Sequence, residues 1–204
     1  MKYILSSLIF IFAVFVTNAK NDTSNYPDPM NLSIDENIDI PKVPSKAKSY
    51  IISSIDQLRR LLVKNGLIVE SIRDDEALLV TMPCSELFAP CTTNLKSSAG
   101  DKLKNLAIVA KESSRYKMLI AVHSDDTGDN LYSDSITAAR ANAIDEYFWR
   151  LVGEKETNII PYGLGKDEPI VSNSSRTNRE KNRRVEFYII PDKELLRMAG
   201  VKIK

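Results

Sequence analysis

One histidine and two cysteines are all that 204 residues offer of the side chains most used in nucleophilic and metal chemistry. His123 stands apart from any nucleophile motif. The chain has no Gly-x-Ser-x-Gly, no phosphate-cradling glycine loop and no paired catalytic carboxylates, so catalysis is not expected. Charge of one sign is also missing: 28 Lys and Arg face 27 Asp and Glu. A nucleic-acid-binding field is therefore not expected either. His123, Asp125, Asp126 and Asp129 are crowded together, but Gly128 comes too early for the sixth position of a calcium loop. Neither a metal nor a cofactor is expected. The chain lacks internal repeats, and its longest apolar run, Ile4 to Val16 broken at Ser6 and Ser7, is shorter than the ~20 residues that comfortably span a bilayer.

That run follows Lys2 and precedes Thr17-Asn18-Ala19, which reads as a secretory signal peptide over residues 1–19 cleaved after Ala19. The alternative is an uncleaved segment holding the chain in the inner membrane. No cysteine follows Ala19 to carry acyl chains, so a lipid anchor of that kind is not expected. Export places Cys84 and Cys91 in an oxidising compartment, where a disulfide closing a short loop is expected. Such a staple is worth roughly 2–3 kcal/mol in the chain-entropy account. Two free thiols or a redox pair are the alternatives.

Residues 20–44 are rich in Asn, Asp, Ser and Pro without a sustained period and read as a flexible linker, too short to hold a barrel. Ile51, Ile55, Leu58 and Leu62 recur at helical spacing before Gly66, which predicts an amphipathic helix from Ser45 to about Asn65, within residues 45–66. Leu67 to Ile72 and Ala77 to Met82 form a predicted hairpin. Leu103, Leu106, Ala107 and Ala110 mark a helix, and Met118 to Val122 a buried strand. A long helix carries Ile136, Ala143, Ile144, Tyr147, Phe148 and Leu151 on one face, with Ser133 to Ser135 as caps. A strand over Thr157 to Tyr162, a polar loop from Gly163 to Glu180 and a last strand from about Arg184 to Ile190 complete residues 67–191. Residues 192–204 read as a tail with a short helix. Strands alternating with helices predict an α/β (α+β) two-layer sandwich, its helices packed on one face of a mixed sheet.

Three separated stretches share one resemblance. Val122-His123-Ser124-Asp125, then Gly128, then Ile136-Thr137-Ala138-Ala139-Arg140-Ala141 resemble the signature of the OmpA-like family. There a strand ends in Gly-His-Thr-Asp, a glycine follows, and a helix opens with Leu-Ser-x-x-Arg-Ala. Gly163-Leu164-Gly165 through Pro169 is similar to the family's Gly-x-Gly-x-x-x-Pro stretch, and Asn178 through Glu186 to its Gly-Arg-x-x-Asn-Arg-Arg-Val-Glu ending. The sequence departs at Val122, Ser124, Ser133 (for Asn) and Asn178 (for Gly).

The resemblance implies non-covalent binding of peptidoglycan through the diaminopimelate of its peptide stem; with the cleaved signal, the expected location is the periplasm, free or associated with the outer membrane. The free end of that residue carries an ammonium and a carboxylate on one carbon. By resemblance Asp125 would accept from the ammonium and the Arg140 guanidinium would grip the carboxylate, with Arg183 and Ser133 as further ligand contacts. Asp125 falls just past a strand end and Arg140 about two turns into the next helix, a strand-to-helix connection where binding residues gather. Taken alone, the carboxylate would read as a turn former, the arginine as a solvated ion pair, and His123 as a structural side chain. The rival reading keeps the fold but gives it an envelope protein partner, docked through the Ser45–Asn65 helix, in place of the wall.

Overall fold

The computed structural model describes residues 28–153 and 157–203. The expected signal peptide, its cleavage point after Ala19 and the start of the expected linker lie outside these residues. In chain order the elements are α1 (Ile34–Asp39), α2 (Lys48–Lys64), β1 (Val69–Ile72), β2 (Ala77–Pro83), α3 (Cys84–Leu87), α4 (Ala99–Leu103), α5 (Ala107–Lys111), β3 (Tyr116–Val122), α6 (Asn130–Leu151), β4 (Ile159–Gly163), α7 (Arg176–Asn182), β5 (Arg184–Pro191) and α8 (Lys193–Met198). The strands form one mixed sheet in the order β1-β2-β5-β3-β4, antiparallel except for the β3–β4 pair. The parallel pair requires a crossover, which α6 supplies.

Alternation along the strands sorts side chains to two faces. Val80, Met118, Ile120, Val185 and Phe187 form the main core with Ile51, Ile55, Leu58 and Leu62 of α2 and Ile144 and Phe148 of α6. The apolar stripe of α2 is thus consumed by the domain, so the surface on which the rival docking reading depended is buried. Among the described residues no helix is long and apolar enough to cross a membrane.

The expected linker is where the structure differs most. Ser33 and Glu36 make a capping box that starts α1, and Ile34 packs on the second face of the sheet with Leu119, Ala121, Ile160 and Ile190. The polar residues that read as linker satisfy the buried Lys117. Its ammonium donates to the Asn37 carbonyl (2.7 Å), Asn37 Oδ1 (2.9 Å) and the Ile40 carbonyl (2.8 Å). Arg73 ties the same strap down through the carbonyls of Ile38 and Pro41. Burial pushes the Lys117 ammonium down to about 8, a cost that this saturated set of acceptors offsets. Asn37 and Ile40 here are partners of a buried charge, a role invisible to local composition.

The expected disulfide is corrected. Cys84 and Cys91 are free thiols, the first buried and the second exposed. Cys84 opens α3 beneath the His123 carbonyl (3.9 Å), and burial pushes its thiol up to about 11. Cys91 has a left-handed backbone (φ 56°) at the loop surface. The core claims one thiol while the turn presents the other outward. The expected polar loop before β5 also contains a helix, α7, opened by the Ser175 side chain accepting from the Asn178 amide.

Candidate functional site

β3 is buried along its whole length, and its continuation carries His123 and Asp125 into the loop before α6. The Ser124 amide donates to the Gly165 carbonyl (2.6 Å), fastening this loop to the one after β4. Asp125 turns inward and is 1% exposed. Its Oδ1 accepts from the Thr127 amide (2.8 Å) and the Thr127 hydroxyl, while Oδ2 accepts from Arg183 Nη1. Burial alone would raise this carboxyl, but the Thr127 and Arg183 hydrogen bonds outweigh it and hold the pKa below the usual range. Asp125 is therefore a fixed anion.

The cap of α6 is Asp129, whose side chain accepts from the Tyr132 amide (2.7 Å). Ser133 to Ser135, expected as caps, fall inside the first turns. Ser133 is fully buried, and its Oγ has no hydrogen-bond partner among the described residues. One turn on, Thr137 donates to the Ser133 carbonyl (2.8 Å) and accepts from the Gly165 amide (3.0 Å). Arg140, 6% exposed, uses Nε on the Thr92 carbonyl (2.8 Å) and lays its guanidinium against the Phe88 ring at 5.0 Å. It forms no ion pair with Asp125 among the described residues. The charges of Arg140 and of Arg183, the partner of Asp125, both reach the Cys84 thiol, so a held carboxylate and a held guanidinium lie to either side of it, unpaired with each other among the described residues.

The Asn-Arg-Arg segment divides three ways. Asn182, fully buried, accepts from the Ile170 (3.0 Å) and Val171 (3.1 Å) amides, and donates to the Val171 carbonyl (2.8 Å) and Asn173 Oδ1 (2.7 Å). It staples the loop after β4. Arg183 covers Asp125. Arg184 points to the opposite face, where its Nε meets Glu186 Oε1 at 2.6 Å, while Glu186 Oε2 takes His123 Nε2 (3.1 Å) and the Tyr188 hydroxyl (2.8 Å). Glu186 is an acceptor when ionised, so Nε2 carries the imidazole proton. Neither Asn182 nor Glu186 stood out in the sequence as a support of the site, and the Phe88 and Thr92 contacts had no local signal at all. The Asp-x-Thr spacing of an Asx turn was the one signal available for Thr127. Asn182→Ala is expected to lower stability by about 2 kcal/mol and to speed amide hydrogen exchange at Ile170 and Val171, checked by urea unfolding and exchange measurements.

Residues 87–183 match the model of the OmpA family, a span that includes Asp125, Arg140, Asn182 and Arg183. The chain is 27% identical over 126 residues to the probable lipoprotein YiaD of Escherichia coli strain K12, covering 62% of this chain and 57% of that one. The match therefore spans little more than half the length of that relative. Among solved structures, a MotB-like protein from Desulfovibrio vulgaris superposes with a TM-score of 0.59 at 24% identity, over 69% of this chain and 96% of the other. The cell wall anchor of the T6SS from Pseudomonas aeruginosa superposes with a TM-score of 0.57 at 23% identity, over 66% of this chain and 97% of that one. Both show the same fold, a five-stranded mixed sheet with packed helices.

Proposed function

We propose, on the premise that this chain carries an OmpA family domain over residues 87–183, that it binds peptidoglycan non-covalently in the cell envelope, on the periplasmic side. The observation that carries the reading is the pairing just described: Asp125 held ionised beyond β3, and Arg140 held on α6 without an ion pair among the described residues. An amino acid's free end, with its ammonium and carboxylate on one carbon, needs one fixed charge of each sign. Diaminopimelate in the peptide stem presents that end. Its ammonium meets Asp125, and its carboxylate meets the terminal nitrogens of Arg140, since Nε is already engaged on Thr92.

Arg183 is the natural cover. Its side chain is 34% exposed, against 1% for that of Asp125, so the ligand ammonium reaches Oδ2 by displacing it. Arg183 then adds its charge on the carboxylate side of the ligand. The Ser133 hydroxyl, buried and unpartnered among the described residues, is the further ligand contact in this scheme. No bond is broken and no group changes protonation state. The named relatives agree in kind: one is a lipoprotein by name and another a cell wall anchor.

The test is co-sedimentation of the purified chain with isolated peptidoglycan. Asp125→Ala and Arg140→Ala are each expected to weaken binding at least about 30-fold, because each leaves a desolvated ligand charge unpaired. Circular dichroism of both variants is the check that they remain folded. A parent protein that stays in the supernatant would overturn the reading.

A further inference from the structure

Tyr132 stands where the two halves of this corner meet, and the fold does not explain its exposure. It lies in the first turn of α6, 45% exposed, next to Leu131 at 80%. Its ring packs over Gly128 so closely that a Cβ there would lie 3.1 Å from Cδ1. Its phenol is raised above its ordinary pKa by the neighbouring Cys91 thiol and by burial, against the opposing charge of Arg140. The residue after Cys91 is Thr92, whose carbonyl holds Arg140. The ring therefore reaches from the Asp125 loop to the loop that positions Arg140, along the rim of the site. Adjacent large apolar side chains left exposed at such a rim mark a contact surface.

Resting on the peptidoglycan reading above, we propose that Tyr132, flanked by Leu131, is the specificity wall of the site, receiving the methylene spacer of the amino acid whose zwitterionic end lies on Asp125 and Arg140. A zwitterionic end is common to every free amino acid, so Asp125 and Arg140 by themselves accept them all. Diaminopimelate differs by the aliphatic chain that leaves the zwitterion, and a fixed apolar wall at the exit recognises that chain. An aromatic ring supplies such a wall with little loss of side-chain freedom. Half-covering a short methylene spacer is worth about tenfold in affinity.

The experiment uses the full chain bound to isolated peptidoglycan and displaced by free diaminopimelate or by glycine, which has the zwitterion without the spacer. Parent, Tyr132→Phe, Tyr132→Ala and Tyr132→Gln are compared, with Asp125→Ala as reference and thermal melting of each variant. Tyr132→Phe is expected to match the parent. Tyr132→Ala and Tyr132→Gln are expected to bind about tenfold more weakly and to lose about tenfold in their preference for diaminopimelate over glycine, with melting unchanged. Parent-like preference in Ala and Gln variants that melt normally overturns the wall, as does a Phe variant that fails alongside them, because the hydroxyl would then be the active group. If Asp125→Ala binds as the parent does, the peptidoglycan site itself has failed, a result separate from either outcome at Tyr132.

Discussion

Gly163→Ala is expected to destabilise the protein by about 4 kcal/mol, beyond the range of most single substitutions. A Cβ at this position would lie 2.2 Å from the Ala138 amide nitrogen, 2.5 Å from its Cα and 2.8 Å from the Thr137 carbonyl carbon. All three are backbone atoms of α6, so no side chain can swing away. Gly163 pairs with Val122 at the end of the β3–β4 ladder, which is the point where the crossover helix returns to the sheet. Separating α6 from β4 there would also pull Thr137 from the Gly165 amide and loosen the loop that holds Ser124. Gly200→Ala provides the contrast. Its φ is +77° and nothing lies within 4 Å, so only the left-handed backbone penalty of about 1 kcal/mol applies. Urea unfolding of the two variants checks this. A Gly163→Ala protein as stable as Gly200→Ala would show that helix and strand can separate freely.

Glu186→Gln is the second large effect, and it carries a pH signature. Glu186 is 8% exposed beside Arg184 at 5%. Burial would raise its carboxyl, but hydrogen bonds from His123 and Arg184 outweigh burial and hold it at about 2, against an ordinary 4.5. A carboxyl lowered on folding contributes stability that is fully present above pH 4.5 and lost as pH falls from there through about 2. That contribution is about 3 kcal/mol at neutral pH. The glutamine variant is therefore expected to be about 3 kcal/mol less stable than the parent at pH 7, with the gap closing steadily below pH 4.5. Unfolding curves for both proteins across this range are the measurement, and a gap independent of pH would mean that the charge of Glu186 is not what the network uses. The same network fixes the tautomer of His123, two residues before Asp125.

Sequence patterning went furthest where packing is local. Ile51, Ile55, Leu58 and Leu62 recur at helical spacing because one stripe of α2 meets the sheet, and that stripe is buried as its spacing implies. Alternation at Val185, Phe187 and Ile189 located β5 for the same reason. The strand-helix alternation led to the mixed sheet with packed helices, and the ordered motifs led to the OmpA family, whose model matches residues 87–183. Asp125 and Arg140 were legible as candidates because their residue types and separation sit within those motifs.

The tertiary structure decided whatever depends on partners distant in the chain. Residues 28–41 fold onto the second face of the sheet because Lys117, some 80 positions along, needs acceptors that Asn37 and Ile40 supply. Cys84 and Cys91 stay apart because the core takes one and a left-handed turn exposes the other. Arg183 and Arg184 are adjacent in sequence, yet one covers Asp125 and the other pairs with Glu186 on the far side of the sheet. Arg140 is held by Phe88 and Thr92 across about fifty residues. Periodicity records which side of an element is buried, since that follows from local geometry. Which charge meets which acceptor depends on chain closure, and only the folded arrangement determines it.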